Sequence, residues 1–262
     1  MKKSVNVPVL MYHGIEDENQ PAGYDDAGSL LYVLKKEQFL QQMEFLKDNG
    51  YQVISLLDLN RPEQLPEKPV VLTFDDGHRS DFTIAFPILD QFKYTACFYI
   101  TTGWLGGENY LLPDQISTMH QNGMLIGTHG VTHTFFNEMN SDQLVAELRD
   151  SKSTLDSVTG SPVTCLSAPG GRLTSEIIKH SLALGYESVA TSVARLYKKK
   201  DSIKSVPRVA IKNTTSLEEF SKIVSCDSAY YRRLSIKHNV LSLAKKMLGN
   251  RLYQFLRSIA FN

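Results

Sequence analysis

Cysteine is scarce in this chain. Its 262 residues hold three, Cys97, Cys165 and Cys226, far apart, odd in number and with no Cys-x-x-Cys pair. That excludes a disulfide framework and suits a reducing compartment. Cys97 and Cys165 lie in apolar runs and read as small buried hydrophobes. Net charge is absent too: 28 Lys and Arg stand against 28 Asp and Glu, which argues against a nucleic-acid partner. No run reaches the roughly 20 apolar residues of a membrane span. Met1-Lys2-Lys3 could open a signal peptide, but the apolar run behind it is only Val7 to Tyr12, with Pro8 inside it, and it closes on His13 and the acidic Glu16-Asp17-Glu18. A secretory signal needs an apolar stretch of about 7–15 residues and a cleavage site. The expectation is therefore a cytoplasmic protein, or one peripheral at the inner face of the membrane. Repeats and low-complexity segments are also missing.

What is present is alternation. At 42% hydrophobic the chain can bury a sizeable core. Short apolar strand candidates fall at Val7–Tyr12, Tyr51–Ser55, Val70–Phe74, Thr95–Ile100, Met124–Gly127, Val163–Ser167, Glu187–Thr191 and Val206–Ile211. Helical patterns lie between them, near Lys35–Asn49, Asp81–Phe92, Pro113–Asn122, Ser141–Val158, Thr174–Leu184 and Ser216–Val224. Pro113 opens one and Ser141 is positioned to cap another. Strands alternating with helices at this length predict an α/β fold. The expected form is a (β/α) barrel, distorted or incomplete, of seven to eight strands, in which catalytic groups sit at the C-terminal strand ends. The domain is drawn at 1–224 and a helical tail at 225–262.

The chemistry concentrates at those strand ends. Thr73-Phe74-Asp75-Asp76-Gly77 follows the β-branched run Val70-Val71-Leu72, and Thr128-His129-Gly130-Val131-Thr132-His133 follows the strand candidate at Met124–Gly127. One carboxylate and two imidazoles make a three-ligand cation site with a position open for water. Asp76, His129 and His133 are the ligand candidates, the histidines sharing one face of a helical turn. Asp75 is then free to take a proton from water. No Glu follows His129, so the His-Glu-x-x-His protease pattern fails. A His₂Asp set suits zinc first and also accepts cobalt, nickel or iron. His13 ends the first strand on the same face, and Pro169-Gly170-Gly171 follows another.

These motifs resemble the polysaccharide deacetylase family, the NodB-homology group of metal-dependent sugar de-N-acetylases (carbohydrate esterase family 4 type). Thr73–Gly77 is similar to its first motif, and His129–His133 to its second, with Gly130 where Ser or Thr is usual. Ala168-Pro169-Gly170-Gly171 resembles its third. Pro8-Val9-Leu10-Met11-Tyr12-His13 looks like the branch of poly-N-acetylglucosamine deacetylases, which implies that His13 is the general acid. The resemblance further implies removal of N-acetyl groups from an N-acetylhexosamine-containing glycan. It also implies an oxyanion contact from the backbone N–H of Gly170 beside Pro169. Tyr12 and Trp104, the only Trp, are candidates to stack on a sugar ring. Ser167 stands where the third motif usually has the Arg that orients the base; Arg172 and Arg208 are both candidate substitutes. An O-acetyl esterase, another acyl-amide hydrolase on a sugar, and an inactive glycan-binding relative are the alternatives, and the oligomeric state stays open.

From Ser228 onward the chain has seven Lys or Arg and no Asp or Glu, which leaves the rest at a net −7. Leu241, Ala244, Leu248, Leu252, Phe255 and Ile259 recur at helical spacing with Lys246 and Arg257 opposite. Two readings fit: a helix packed on the barrel, or a basic amphipathic helix making peripheral contact with anionic lipid.

Overall fold

The computed structural model describes residues 6–23 and 27–236. Eight strands form one sheet in which every pairing is parallel. They are β1 (Val9–Tyr12), β2 (Gln52–Val53), β3 (Pro69–Phe74), β4 (Cys97–Ile100), β5 (Leu125–Thr128), β6 (Cys165–Ser167), β7 (Ser188–Ala190) and β8 (Val209–Ala210). Their spatial order is β7-β6-β5-β4-β3-β1-β8, with β2 paired to the start of β3. The sheet curls into an incomplete barrel, and one segment reaches both edges. Val206 N–H donates to Val189 O at 2.8 Å, and Ile211 N–H donates to Met11 O at 2.9 Å. The main helices are α1 (Lys36–Asp48), α2 (Phe86–Phe92), α3 (Pro113–Gln121), α4 (Ser141–Thr159), α5 (Ser175–Ala183) and α6 (Leu217–Val224).

Strand parity divides the core. Leu10, Tyr12, Val70, Leu72, Phe74 and Phe98 pack outward among the helices. Val9, Val71, Cys97, Tyr99 and Cys165 form a second cluster, as expected of the opposite faces of the same strands. The space there is tight at β5, where a Cβ on Gly127 would lie 2.5 Å from Tyr99 Cδ1.

Two local details differ from the sequence reading. Asn140, one residue before Ser141, caps α4: its side chain accepts Gln143 N–H at 3.0 Å, and Gln143 Oε1 accepts Asn140 N–H at 3.1 Å. A planar amide satisfies one donor and receives the reciprocal bond, a capping box. The stretch Asp81–Phe92 begins as a π-turn, Asp81–Ala85, before α2. Pro87 has no N–H to close an α-turn and its ring crowds the turn before it.

Past α6, residues 228–236 are helical, and Tyr230, Tyr231 and Leu234 pack against the main core. The opening of the segment set apart at 225–262 thus lies on the domain, while the stripe from Leu241 to Ile259 lies outside the described residues. Among the described residues no helix is long and apolar enough to cross a membrane.

Candidate metal centre

Asp75 follows β3, its N–H bonded to Tyr12 O at 3.0 Å. Asp76 and Gly77 then take φ of 82° and 78°, a sharp turn at the barrel mouth. Asp tolerates the left-handed region better than most residues, though such a conformation still costs about 1–3 kcal/mol. Neighbouring backbone holds it: Thr101 N–H donates to Asp76 O at 3.2 Å and Leu111 N–H to Gly77 O at 3.0 Å.

His129 and His133 do not share a helical turn. They lie in a loop after β5, with φ of 81° at Gly130 and 61° at His133. Glu147 of α4 clamps that loop, accepting Val131 N–H at 2.6 Å, Thr132 N–H at 3.1 Å and the Thr132 hydroxyl at 2.7 Å. Glycine suits position 130, where φ is positive and a Cβ would press on Glu147 Oε2 and the Phe136 ring at 3.0 Å. His129 Nδ1 lies 2.8 Å from Ser167 O. A carbonyl only accepts, so Nδ1 carries the proton and the Nε2 lone pair faces the carboxylates.

The donor atoms of Asp76, His129 and His133 all lie within 4.8 Å of one another. His129 Nε2 is 3.6 Å and His133 Nε2 3.3 Å from Asp76 Oδ1. That buried oxygen has no well-directed hydrogen-bond partner among the described residues. A carboxylate oxygen left open toward two imidazole nitrogens fits a divalent cation of the zinc type. Burial alone would raise the Asp76 carboxyl, but the close approach of the His133 imidazole, with His13 and His129 nearby, holds it well below the usual range. Burial pushes His129 down despite both carboxylates. For His133 burial also acts downward, and Asp76 outweighs it, so that imidazole is raised.

Arg208 resolves the missing third-motif arginine. Its side chain is fully buried. Nη1 lies 2.6 Å from Asp75 Oδ1 and Nη2 2.8 Å from Asp75 Oδ2, a bidentate fork. Nη2 also bonds Ser167 Oγ at 2.8 Å, and Nε bonds Thr191 O at 2.9 Å. Ser167 thus becomes a partner of the arginine that replaces it. Burial raises the Asp75 carboxyl, but Arg208 and then His129 outweigh this and hold it below the ordinary value. Arg172 is engaged elsewhere, pairing with Glu138 at 2.7 Å.

The other candidates divide. His13 stands just past β1, half-buried, its ring centroid 4.9 Å from that of Tyr32 and its Nδ1 buried without a hydrogen-bond partner among the described residues. Trp104 lies 4.9 Å from the His133 ring and 4.8 Å from Tyr110, making an aromatic wall beside the ligands. Tyr12 corrects the sequence reading. It is fully buried, stacked on Phe74 at 5.2 Å, and its hydroxyl donates to Gln42 Oε1 at 2.9 Å. Strand parity sends it to the helices, away from any sugar. Gly170 is exposed with φ 65°, and a Cβ there would meet Phe135 Cε1 at 2.6 Å; Pro169 beside it is buried.

Sequence reasoning missed Glu147 and Asp81, and read His78 only as a neighbour of Gly77 at the border of the site. Asp81 is buried, and neither of its oxygens has a well-directed hydrogen-bond partner among the described residues. Burial, then the charges of Asp76 and Asp75, push its carboxyl well up. A raised carboxyl contributes stability below the unfolded value, and that stability is lost as pH rises toward the folded one. Asp81→Asn is accordingly expected to stabilise the metal-free protein at pH 7 by about 1–3 kcal/mol, with a smaller gain at pH 4. Urea unfolding at the two pH values checks this, and a loss of stability at pH 7 would refute it.

The chain resembles known proteins in both sequence and fold. Residues 63–189 match the family model for polysaccharide deacetylase. YxkH of Bacillus subtilis (strain 168), which carries the polysaccharide deacetylase name, is 31% identical over 195 residues, 73% of this chain and 66% of that protein. The chain belongs to the polysaccharide deacetylase family. The poly-β-1,6-N-acetyl-D-glucosamine N-deacetylase of Escherichia coli (strain K12) is 24% identical over 262 residues, 81% of this chain and 38% of that protein. The chain thus spans about two thirds of the first of these deacetylases and well under half of the second. The Streptococcus pyogenes deacetylase PplD, solved with acetate, is 26% identical with a TM-score of 0.74, covering 85% of this chain and 99% of that one. IcaB from Ammonifex degensii, at 22% identity and a TM-score of 0.72, shares the fold. The matched span of the deacetylase family holds Asp75, Asp76, His129 and His133, while His13 and Arg208 lie on either side of it.

Proposed function

We propose that this protein is a metal-dependent hydrolase that removes N-acetyl groups from an N-acetylhexosamine-containing glycan. The observation that carries the reading is the division of labour between adjacent carboxylates. Asp76 faces two imidazoles, and Asp75 is held in a guanidinium fork. A cation held by Asp76, His129 and His133, zinc by its ligand chemistry, would polarise the acetamide oxygen and lower the pKa of water.

Asp75 accepts the proton of the attacking water. The fork makes Asp75 a weak base but fixes its plane, and it keeps the carboxylate ionised despite burial. An amine leaves an amide only after its nitrogen is protonated, and His13 is the group assigned to deliver that proton. The backbone N–H of Gly170 is the assigned donor to the developing oxyanion. Trp104 and Tyr110 offer flat faces to a sugar ring.

Acetate release from N-acetylglucosamine oligomers tests the reading. Release is expected to stop on chelation and return with zinc. His13→Ala should lower kcat about 10²–10⁴-fold on the acetamide. It should change hydrolysis of p-nitrophenyl acetate far less, because that phenolate departs without a proton. Equal effects on both substrates would remove the acid role from His13. Release from O-acetylated sugars alone would make the protein an esterase.

A further inference from the structure

Two residues past Asp76, His78 is buried where three segments meet. Its Nε2 lies 2.7 Å from Ala22 O. A carbonyl cannot donate, so Nε2 carries the proton and Nδ1 is an acceptor. Nδ1 lies 2.7 Å from Ser80 Oγ and 3.1 Å from Ser80 N. Ser80 Oγ in turn accepts Ile15 N–H at 2.9 Å. The bonds run in one direction, from Ile15 N–H through the Ser80 hydroxyl and a neutral imidazole to Ala22 O. His78, Ser80, Ile15 and Ala22 are each buried, so every one of these bonds is shielded from water.

Both ends of the segment 15–22 are therefore stapled to the turn that carries Asp76. On its other side the same turn is bonded to the loop carrying Trp104, through Leu111 N–H to Gly77 O at 3.0 Å and Arg79 N–H to Asn109 O at 2.8 Å. His13 needs such support. The ladder between β1 and β3 ends at Tyr12 opposite Phe74, so sheet register no longer fixes the next residue. A proton donor misplaced by about 1 Å can cost 10²-fold in rate.

We propose that His78 is a positioning residue for His13: by holding Ala22 and, through Ser80, Ile15, it sets where the acid stands relative to Asp76, His129 and His133. The proposal rests on the acid role of His13 given above. It is tested with His78→Phe, which keeps a ring but removes both bonds, and His78→Gln, which keeps a donor able to reach Ala22 O. Cobalt-loaded protein supplies a second readout, since paramagnetic shifts of the His13 ring protons report their place relative to the ion. His78→Phe is expected to bind cobalt within about twofold of wild type, to lose about tenfold or more in kcat with KM little changed, and to displace the His13 shifts. His78→Gln should restore both to near wild type. Should His78→Phe not fold, Ser80→Ala removes the hydroxyl that links Ile15 to His78, leaves the Ala22 bond in place, and is read in the same way. Unmoved His13 shifts in a folded variant, or a kcat loss that only tracks lost cobalt, would overturn the proposal. Wild-type protein that releases no acetate from any acylated sugar would remove the deacetylase reading instead, and the His13 shifts would still decide the placement.

Discussion

Arg208→Met is expected to lower the folding stability of the metal-free protein by about 3–5 kcal/mol at pH 7, the usual cost of removing one partner of a buried ion pair. Arg208 and Asp75 are both buried and meet through two short bonds. Without the guanidinium, burial acts on the Asp75 carboxyl with only His129 and His13 to oppose it. The pH dependence has a definite sign. In the wild type the folded Asp75 carboxyl is depressed, so its stabilising contribution is present above the unfolded value of about 3.9 and is lost as pH falls through the folded one. In the variant the carboxyl moves up, and the folded state binds a proton that the unfolded state has released. The gap between wild type and Arg208→Met should therefore begin to narrow as pH falls from neutrality toward about 4, where the variant gains stability, and narrow further below about 4, where the wild type loses it. Urea unfolding at pH 7 and in acid measures both quantities. Arg208→Lys keeps the charge but loses the fork, and its stability should fall between the two. A deficit that stays constant across pH would mean that lost packing, rather than the exposed carboxylate charge, accounts for the cost.

The fold was legible in the sequence because its signals are local. Apolar runs such as Val70–Phe74 and the helix start at Pro113 each announce themselves within a few residues, and the parallel barrel follows from their alternation. The cluster of candidate ligands was legible because the fold sends strand ends to one face, which brings Asp76 and His129 together. Other features depend on distance or on parity. Asp75 and Arg208 are 133 residues apart, and no pattern around Arg208 says that its charge turns inward. Tyr12 was misread because a strand buried on both faces is apolar at every position. Leu10 and Tyr12 share one face and His13 falls on the other, but nothing in Val9–Tyr12 marks which face is which. Glu147 resembles any solvated charge on an amphipathic helix until Val131 and Thr132 are placed over it. The helical reading of His129 and His133 had a warning inside it: Gly130 takes the positive φ that makes a loop of the segment.

The other large effect is expected from Asp75→Asn. The amide matches the carboxylate in shape but cannot take a proton from water, so kcat should fall about 10²–10⁴-fold. Cation affinity should change little, since Asp76 holds the position between the imidazoles. The same substitution leaves the Arg208 charge unpaired in the barrel, so stability should fall with activity. A single variant therefore confuses a chemical role with a structural one, and the double variant Asp75→Asn/Arg208→Met separates them. With neither charge present no unpaired ion remains buried, and stability should recover toward wild type. Activity should not recover, because the base is still absent. Kinetics, zinc titration and unfolding on the four members of that cycle decide the matter. If zinc binding collapses in Asp75→Asn, Asp75 is a ligand rather than the base. If activity returns with stability in the double variant, the carboxylate serves the fold and the proton goes elsewhere.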